Sequence, residues 1–275
     1  TSKSLIVHVE GQYDYTYRIL DINVGASYRR YMPTTNGQIF SDTLLPNGKY
    51  SVITLNEAGG FLQLTTRLIK NRLKILGSLR VDKSQNYKVQ FSPRVGIVYN
   101  QKEHTIRASF QSAFRSPTLN DQYFLLNAGS VILKGNLSGF NNLYTSASVT
   151  AFGATANTDT NLLVTYVAKP VAPEHVLTTE LAYRLTNLYG FSAELTGYYN
   201  QYSNFIGSVN VAAPKSGTAG EASGIQDIKT RNYSSYRIWV NSSSKISTIG
   251  VSLALSYTYK KITPYFNYTY NRLVQ

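Results

Sequence analysis

The sequence predicts an all-β fold, a transmembrane antiparallel up-and-down β-barrel, from three observations. Apolar and polar side chains alternate in long segments, short and long connections alternate between those segments, and tyrosines gather near the segment ends. Alternation with a period of two is typical of strands that have one apolar and one polar face. Most segments reach the roughly 9–11 residues that a tilted spanning strand needs, whereas soluble strands average about 5–6 residues.

Ten segments carry the alternation. In the first, the apolar set occupies odd positions from Leu5 to Tyr17, and in the second it occupies even positions from Leu20 to Tyr28. The fourth, sixth and ninth repeat it from Leu73, Ile106 and Ile249. The predicted strands span residues 4–17, 19–31, 58–70, 72–82, 91–99, 104–113, 174–186, 189–203, 245–258 and 262–272.

The connections between the predicted strands alternate in length. The first, third, fifth, seventh and ninth are tight turns near residues 18, 71, 101–103, 187–188 and 259–261. The others are longer and rich in Gly, Ser, Thr, Asn and Pro; the long loops are 32–57, 114–173 and 204–244, with a shorter one at 83–90. This order places every short turn at one end of the sheet and every long loop at the other, as in outer-membrane barrels.

Composition supports the same interpretation. The chain has 23 tyrosines, and 27 Lys and Arg against 14 Asp and Glu give a net charge of +13. Tyrosine suits a membrane interface, because its ring is apolar while its hydroxyl stays hydrated. The predicted long-loop girdle includes Tyr28, Tyr31, Tyr198, Tyr199, Tyr202, Tyr268 and Tyr270, and the short-turn girdle includes Tyr13, Tyr15, Tyr17, Tyr257 and Tyr259. A soluble β-sandwich or large soluble barrel is the alternative.

The polar face is predicted to line a water-filled lumen. Its predicted lumen-facing ionisable members are His8, Glu10, Arg29, Lys74, Arg80, Arg107, Glu180, Arg184 and Glu194, among others. The three histidines lack metal-ligand spacing, there is no cysteine, and no hydrolase, metalloprotease or phosphate-loop motif occurs. We therefore predict no enzyme, no catalytic residue, no metal and no cofactor. Basic residues are scattered, so lumen lining and contact with outer-leaflet lipids explain them better than nucleic acid does.

The long loops hold the candidate substrate-facing residues. Arg115 precedes Ser116 and Pro117 at a strand end, where anchoring of backbone carbonyls or of a neighbouring carboxylate is favoured over direct substrate contact. Aromatic residues further along either contact substrate or pack on each other: Tyr123, Phe124, Phe140, Tyr144 and Trp239. The 204–244 stretch has a second interpretation, in which it extends the ninth strand above the membrane.

Several short motifs occur in a fixed order. Residues 91–96 read Phe-Ser-Pro-Arg-Val-Gly, residues 105–110 read Thr-Ile-Arg-Ala-Ser-Phe, and residues 114–119 read Phe-Arg-Ser-Pro-Thr-Leu. This set resembles the barrel of TonB-dependent outer-membrane receptors. Residues 73–82 and 198–207 are similar to further parts of that barrel, and residues 8–13 and 28–31 resemble its Bacteroidetes branch.

The resemblance implies a receptor in the outer membrane of a Gram-negative bacterium. Such proteins import a scarce nutrient, for example a siderophore, vitamin, glycan or peptide, and their partners are the lipid bilayer, the TonB energising protein and, in some cases, a lid lipoprotein or other surface subunits. Family barrels have about 22 strands around a plug. We therefore expect residues 1–275 to be a partial barrel domain, without the plug or the remaining strands. A structural scaffold barrel in a protein complex and a passive porin are the competing functions.

Overall fold

The computed structural model describes residues 3–42 and 44–274. Thr1, Ser2 and Gln275, which belong to the expected partial barrel domain, lie outside the described residues, as does Thr43 of the 32–57 loop. The described residues form two β-sheets, one of ten strands and one of six.

The strands are, in chain order, β1 (Lys3–Tyr17), β2 (Leu20–Thr34), β3 (Leu55–Leu68), β4 (Leu73–Ser84), β5 (Gln90–Gln101), β6 (His104–Arg115), β7 (Leu125–Asn127), β8 (Ile132–Lys134), β9 (Phe140–Thr145), β10 (Thr165–Ala168), β11 (Glu174–Leu188), β12 (Phe191–Ser203), β13 (Ile206–Pro214), β14 (Tyr233–Asn241), β15 (Ile246–Tyr257) and β16 (Tyr265–Val274). The helices are α1 (Leu119–Tyr123), α2 (Ser146–Ala154) and α3 (Ala222–Lys229), with one 3-10 turn at Thr160–Leu162.

The larger sheet has the strand order β1-β2-β3-β4-β5-β6-β11-β12-β15-β16, and every pair in it is antiparallel. These are the ten predicted strands, so the antiparallel barrel-wall prediction is confirmed. The largest differences between observed and predicted strand boundaries are three residues. β2 ends at Thr34 rather than at residue 31, β3 begins at Leu55 rather than at 58, and β16 begins at Tyr265 rather than at 262. Tight turns join the hairpins through non-glycine residues with positive φ, among them Arg18, Asn71, Lys102 and Lys260.

The register of this sheet separates its side chains into two faces, because directly opposed residues share a face. His8 opposes Arg29, Arg29 opposes Glu57, and Arg184 opposes Glu194. Following the register through all ten strands places the nine predicted lumen residues on one face, the polar face. The acidic residues of these strands lie there too: Glu10, Asp14, Asp21, Glu57, Asp82, Glu174, Glu180 and Glu194.

The opposite face, called the apolar face below, consists mainly of exposed aliphatic and aromatic side chains. Val9 is 65% exposed and Leu181 is 62% exposed, and neighbouring strands present further exposed Val, Leu and Ile residues. An apolar surface that follows ten adjacent strands is far larger than the patches of soluble monomers. It fits contact with hydrocarbon instead.

The register corrects the predicted tyrosine girdle at the long-loop end. Tyr31, Tyr198 and Tyr202 lie on the polar face, since they oppose Ile6, Glu180 and Val176 in the register. Tyr268 and Tyr270 lie on the apolar face but oppose Leu253 and Val251, in the middle of β15. Of the predicted girdle, Tyr28 and Tyr199 remain on the apolar face toward the long-loop end. Successive side chains of a strand point to opposite faces, so a shift of one position moves a tyrosine to the other face. The clustering of tyrosines along the sequence does not reveal which face each one takes.

The long loops 114–173 and 204–244 fold together into the second sheet, with strand order β10-β9-β13-β14-β8-β7. The hairpin of β13 and β14 belongs to this sheet, so the suggestion that residues 204–244 extend the ninth strand is wrong. Leu143, Val211 and Ile238 form the core on one face of this sheet. Tyr144 and Phe152 form a second core, on which α2 and α3 pack.

The helices are short. Among the residues that the structure describes, no helix has both the length and the apolar character to cross a membrane, a finding that concerns helices alone.

Candidate functional site

A charged cavity lies on the polar face near the long-loop end of β1 to β6. It has a volume of about 410 Å³, and its lining includes His8, Arg29, Glu57, Arg80 and Asp82. The Arg80 guanidinium donates to both carboxylate oxygens of Asp82, with Nε–Oδ2 at 2.8 Å and Nη2–Oδ1 at 2.7 Å. Arg29 Nη1 donates to the Tyr31 hydroxyl at 3.0 Å. These bonds hold the long side chains along the wall and leave the cavity polar.

A second cavity, of about 400 Å³, lies on the same face and is more basic. Lys74, Arg94, Arg107 and Glu180 contribute to its lining. Arg107 Nη2 lies 2.8 Å from Glu180 Oε1. No ion pair forms at Lys74 or Arg94 with any residue in the described part of the chain. The lining therefore has three cationic side chains against one carboxylate and suits an anionic group.

A third cavity on this face, of about 350 Å³, includes Arg184 and Glu194 in its lining. Their ion pair has an Nη2–Oε2 distance of 2.6 Å. Together the three cavities contain eight of the nine residues predicted to line the lumen. Glu10 is the ninth, and it contacts His8 with Nε2–Oε2 at 3.7 Å.

Tyr87 connects the short loop after β4 to this wall, a contact that the sequence did not suggest. Its hydroxyl donates to Glu57 Oε1 at 3.1 Å and contacts the Ser116 hydroxyl. Burial raises the pKa of Tyr87 to about 12, so the phenol is neutral and remains a donor over the physiological range.

Arg115 ends β6 and pairs with Glu174 at the start of β11. The second carboxylate oxygen of Glu174 accepts a hydrogen bond from the Ile206 N–H at 2.8 Å. The arrangement joins two wall strands to β13 and corresponds to an anchoring role. The Arg115 side chain nevertheless stays 60% exposed, so it remains accessible from the loop side.

The loop aromatics that the sequence singled out separate into different surroundings. Phe124 and Trp239 meet edge to face with ring centroids 5.4 Å apart, and the Tyr123 hydroxyl accepts a hydrogen bond from Asn86 at 2.8 Å. Tyr144 is only 1% exposed, and its hydroxyl accepts from the Gly220 N–H at 2.7 Å. Tyr144 is therefore part of the core of the second sheet rather than of an open surface.

Phe140 lies at a pocket whose cation the sequence did not reveal. The pocket has a volume of about 240 Å³, and Lys134, Phe140, Asn142 and Tyr236 line it. Lys134 Nζ lies 4.8 Å from the Phe140 ring centroid and 5.5 Å from that of Tyr236. β8 and β9 are not neighbours in the sheet, so this contact requires the sheet to curl. The alternation of Tyr236 and Ile238 with Ser235 and Arg237 was the available sequence signal for β14, which carries the Tyr236 ring.

The histidines stay apart in the structure. His8, His104 and His175 lie on β1, β6 and β11, and His104 Nδ1 lies 2.7 Å from the Tyr183 hydroxyl. Within residues 3–42 and 44–274, no group of three or more His, Asp and Glu side chains is arranged to hold a metal.

Comparison with known proteins gives one family and several structures. The family model described as TonB dependent receptor-like, beta-barrel, matches residues 3–275. No curated protein matches the chain significantly. A variant of the ferric enterobactin receptor PfeA from Pseudomonas aeruginosa, in complex with enterobactin, is 17% identical with a TM-score of 0.68, over 100% of this chain and 36% of that one.

Two further structures show the same fold. The siderophore receptor PirA from Pseudomonas aeruginosa is 16% identical with a TM-score of 0.63, over 99% of this chain and 43% of that one. The FrpB iron transporter from Neisseria meningitidis is 14% identical with a TM-score of 0.60, over 99% of this chain and 36% of that one. The chain thus spans about two fifths of the length of the structures that it resembles.

Proposed function

Because the chain belongs to the TonB-dependent receptor-like β-barrel family, we propose that it forms part of the wall and binding loops of an outer-membrane receptor for energised nutrient import. The observation that carries this proposal is the division of the ten-stranded sheet into a charged face and an exposed apolar face. A wall between hydrocarbon and a polar interior needs this division. The family consists of receptors and transporters, so we expect no catalysis.

The barrel itself is proposed to extend beyond residues 1–275. Within the described sheet, β1 and β16 each pair on one side only. An unpaired strand edge is costly in a bilayer, where no water satisfies its backbone groups. Further strands, together with a plug that the TonB protein pulls, would complete the barrel and the transport cycle.

We propose a ferric siderophore as the first substrate to test, ahead of vitamins, glycans and peptides. The matched structures include receptors named for siderophores, enterobactin and iron. The unpaired Lys74 and Arg94 support passage of an anionic complex along the wall. Capture is assigned to the loop side, where the proposed contacts are Arg115, Tyr123, Phe124, Phe140 and Trp239.

Uptake measurements test this function. A deletion strain should take up radioactive iron from ferric siderophores more slowly than the parent strain, and the gene should restore uptake only when TonB is active. Uptake that persists without TonB would favour a passive porin. A normal uptake rate in the deletion strain, with stoichiometric co-purifying proteins, would favour a scaffold barrel. A lid lipoprotein would be detected in the same purification.

A further inference from the structure

The charges on the apolar face of the ten-stranded sheet follow a simple rule. Acidic residues of the ten described strands all lie on the polar face, so the apolar face has none. Among the side chains that the structure describes, the Lys and Arg members of this face are Arg30, Lys83 and Arg272, which oppose Val7, Ala58 and Ile249 in the register. Each lies close to the long-loop end of its strand, since β2, β4 and β16 end at Thr34, Ser84 and Val274.

Arg30 and Lys83 lie on the same part of this face. Arg30 opposes Asn56 of β3, and Lys83 opposes Ala58 two residues further along the same strand. With strands about 4.8 Å apart and about 3.4 Å per residue, their Cα atoms are separated by roughly 12 Å. Both side chains are exposed, and both are long enough to converge on a group between them.

Polar groups fill the space between the two cations. The Tyr28 hydroxyl donates to Asn56 Oδ1 at 2.8 Å, and Asn56 Nδ2 donates to Gln85 Oε1 at 2.9 Å. Lys83 Nζ donates to the Tyr87 carbonyl at 2.5 Å and keeps two further N–H donors. Neither cation has an acidic partner in the described part of the chain. Below them the face continues with exposed Val9, Val24 and Leu62.

This combination of two cations without acidic partners and an aliphatic surface below them fits one class of ligand. Cations at the end of a membrane-facing wall reach the headgroup level, while the aliphatic residues below contact acyl chains. A guanidinium and an ammonium that lack carboxylate partners are suited to a phosphate, which the guanidinium can bind through two parallel hydrogen bonds. A soluble anion would not need the apolar surface directly below the cations.

We propose that Arg30 and Lys83, supported by Tyr28, Asn56 and Gln85, form a binding site for the phosphate group of a phosphorylated lipid in the extracellular leaflet. The site holds a lipid against the outside of the barrel and is separate from the import path. It rests on the proposed placement of the sheet in the outer membrane, and it does not depend on which nutrient is imported.

Native mass spectrometry of the protein purified from outer membranes tests the site. The probes are diphosphorylated lipid A, dephosphorylated lipid A and inorganic phosphate, each added to the protein in detergent. The double variant Arg30→Gln/Lys83→Gln is compared with the control variant Arg29→Gln. Arg29 is the chain neighbour of Arg30, but its side chain lies on the polar face. We expect the double variant to bind diphosphorylated lipid A about 30-fold more weakly, because each cation near an anionic surface contributes about a factor of five.

The control variant Arg29→Gln should bind this lipid as the wild-type protein does, and dephosphorylated lipid A should bind the wild-type protein weakly. Equal binding of diphosphorylated lipid A by the wild-type protein and the double variant would overturn the proposal. Tight binding of dephosphorylated lipid A would also overturn it, and so would displacement of the lipid by millimolar inorganic phosphate. Heat-modifiable migration on gels verifies that each variant is folded, and iron uptake by the double variant separates this result from the proposed function.

Discussion

At the scale of single residues, Asn136 connects distant segments next to the second sheet through its side chain. It is fully buried, and its side-chain amide donates to the carbonyls of Lys169 at 2.7 Å and Trp239 at 2.9 Å. Its Oδ1 accepts a hydrogen bond from the Gly139 N–H at 2.9 Å. One side chain therefore joins the segment after β8 to both long loops, and a buried polar group with every partner present is costly to remove.

Replacing Asn136 with Ala should loosen this junction. The variant removes three part-buried hydrogen bonds of this residue, which costs roughly 2–4 kcal/mol of local stability. Hydrogen exchange of residues 132–140 and 165–171 should accelerate, while the ten-stranded sheet stays protected. The control is Asn127→Ala, because Asn127 is exposed and its side chain accepts a single bond, from Gly129. Unchanged protection of these segments in the Asn136 variant would contradict this account.

Asp227 gives the segment between β13 and β14 a dependence on pH. Hydrogen bonds from the Ser216 and Gly217 N–H groups, at 2.7 and 2.8 Å, lower its pKa below the usual 3.8, with a smaller contribution from Asn232. Because the folded-state value is the lower one, the stabilisation is fully present above the unfolded-state pKa and is lost as the pH falls through the folded-state value.

The variant Asp227→Asn should therefore expose the Ser216 and Gly217 amides to faster hydrogen exchange at pH 6. The difference from the wild-type protein should shrink as the pH falls below 3.8, since protonation neutralises the wild-type carboxylate as well. Exchange rates corrected for the intrinsic pH dependence measure this. A difference that persists at a pH where the wild-type Asp227 carboxyl is observed by NMR to be protonated would show that the negative charge has no part in holding these amides.

The sequence predicted only some of the side-chain contacts at this scale. The strand-end position of Arg115 indicated an anchor, and its ion pair with Glu174 is the kind of contact expected there. The burial of Tyr144 and the position of Lys134 between two rings depend on how distant loops meet. No local pattern contains that information.

At the scale of elements, the ten long strands were predictable because several of them, such as β1, β2, β4 and β15, repeat their alternation over about nine residues or more. The six strands of the second sheet were missed for physical reasons. β7 and β8 have three residues each, and β8 pairs in parallel with β14, about 100 residues later in the chain. A usable signal was present in β13, where Val209 and Val211 alternate with Ser208 and Asn210, and in the Thr118 and Asp121 capping box of α1.

Within the wall, some glycines provide room for aromatic rings on the neighbouring strand. A Cβ at Gly250 of β15 would overlap the Tyr198 ring, which lies across the glycine and donates a hydrogen bond to Asn271 of β16. Gly197 of β12 is different, because a Cβ there meets no atom within 4 Å. The two positions therefore offer a matched pair of substitutions in adjacent strands.

Gly250→Ala should destabilise the wall by about 1–3 kcal/mol, the usual cost of overpacking, because Tyr198 must move and loses its bond to Asn271. Gly197→Ala should leave stability unchanged or raise it slightly, since alanine restricts the unfolded chain. Urea unfolding of the barrel in lipid vesicles compares the two variants. Equal midpoints for Gly250→Ala and the wild-type protein would show that the ring does not occupy this space.

At the scale of the whole molecule, the two sheets differ in their surfaces and in where they lie along the strands. The ten-stranded sheet has exposed aliphatic residues on one side and ion pairs on the other, and all its short turns lie at one end. The second sheet is built entirely from the connections at the opposite end. In an outer membrane this arrangement places the folded loops outside the cell and the tight turns in the periplasm.

Labelling of single cysteines tests this orientation most directly, and the chain contains no cysteine of its own. The three variants are Val167→Cys in β10, Lys261→Cys in the turn between β15 and β16, and Val251→Cys in the middle of the apolar face. In intact cells a membrane-impermeant maleimide should label position 167 only. Position 261 should react after the outer membrane is permeabilised, and position 251 should react only with a lipid-soluble reagent. Labelling of positions 167 and 261 at equal rates in intact cells, or reaction of position 251 with the impermeant reagent, would contradict a membrane-spanning wall with its long loops outside.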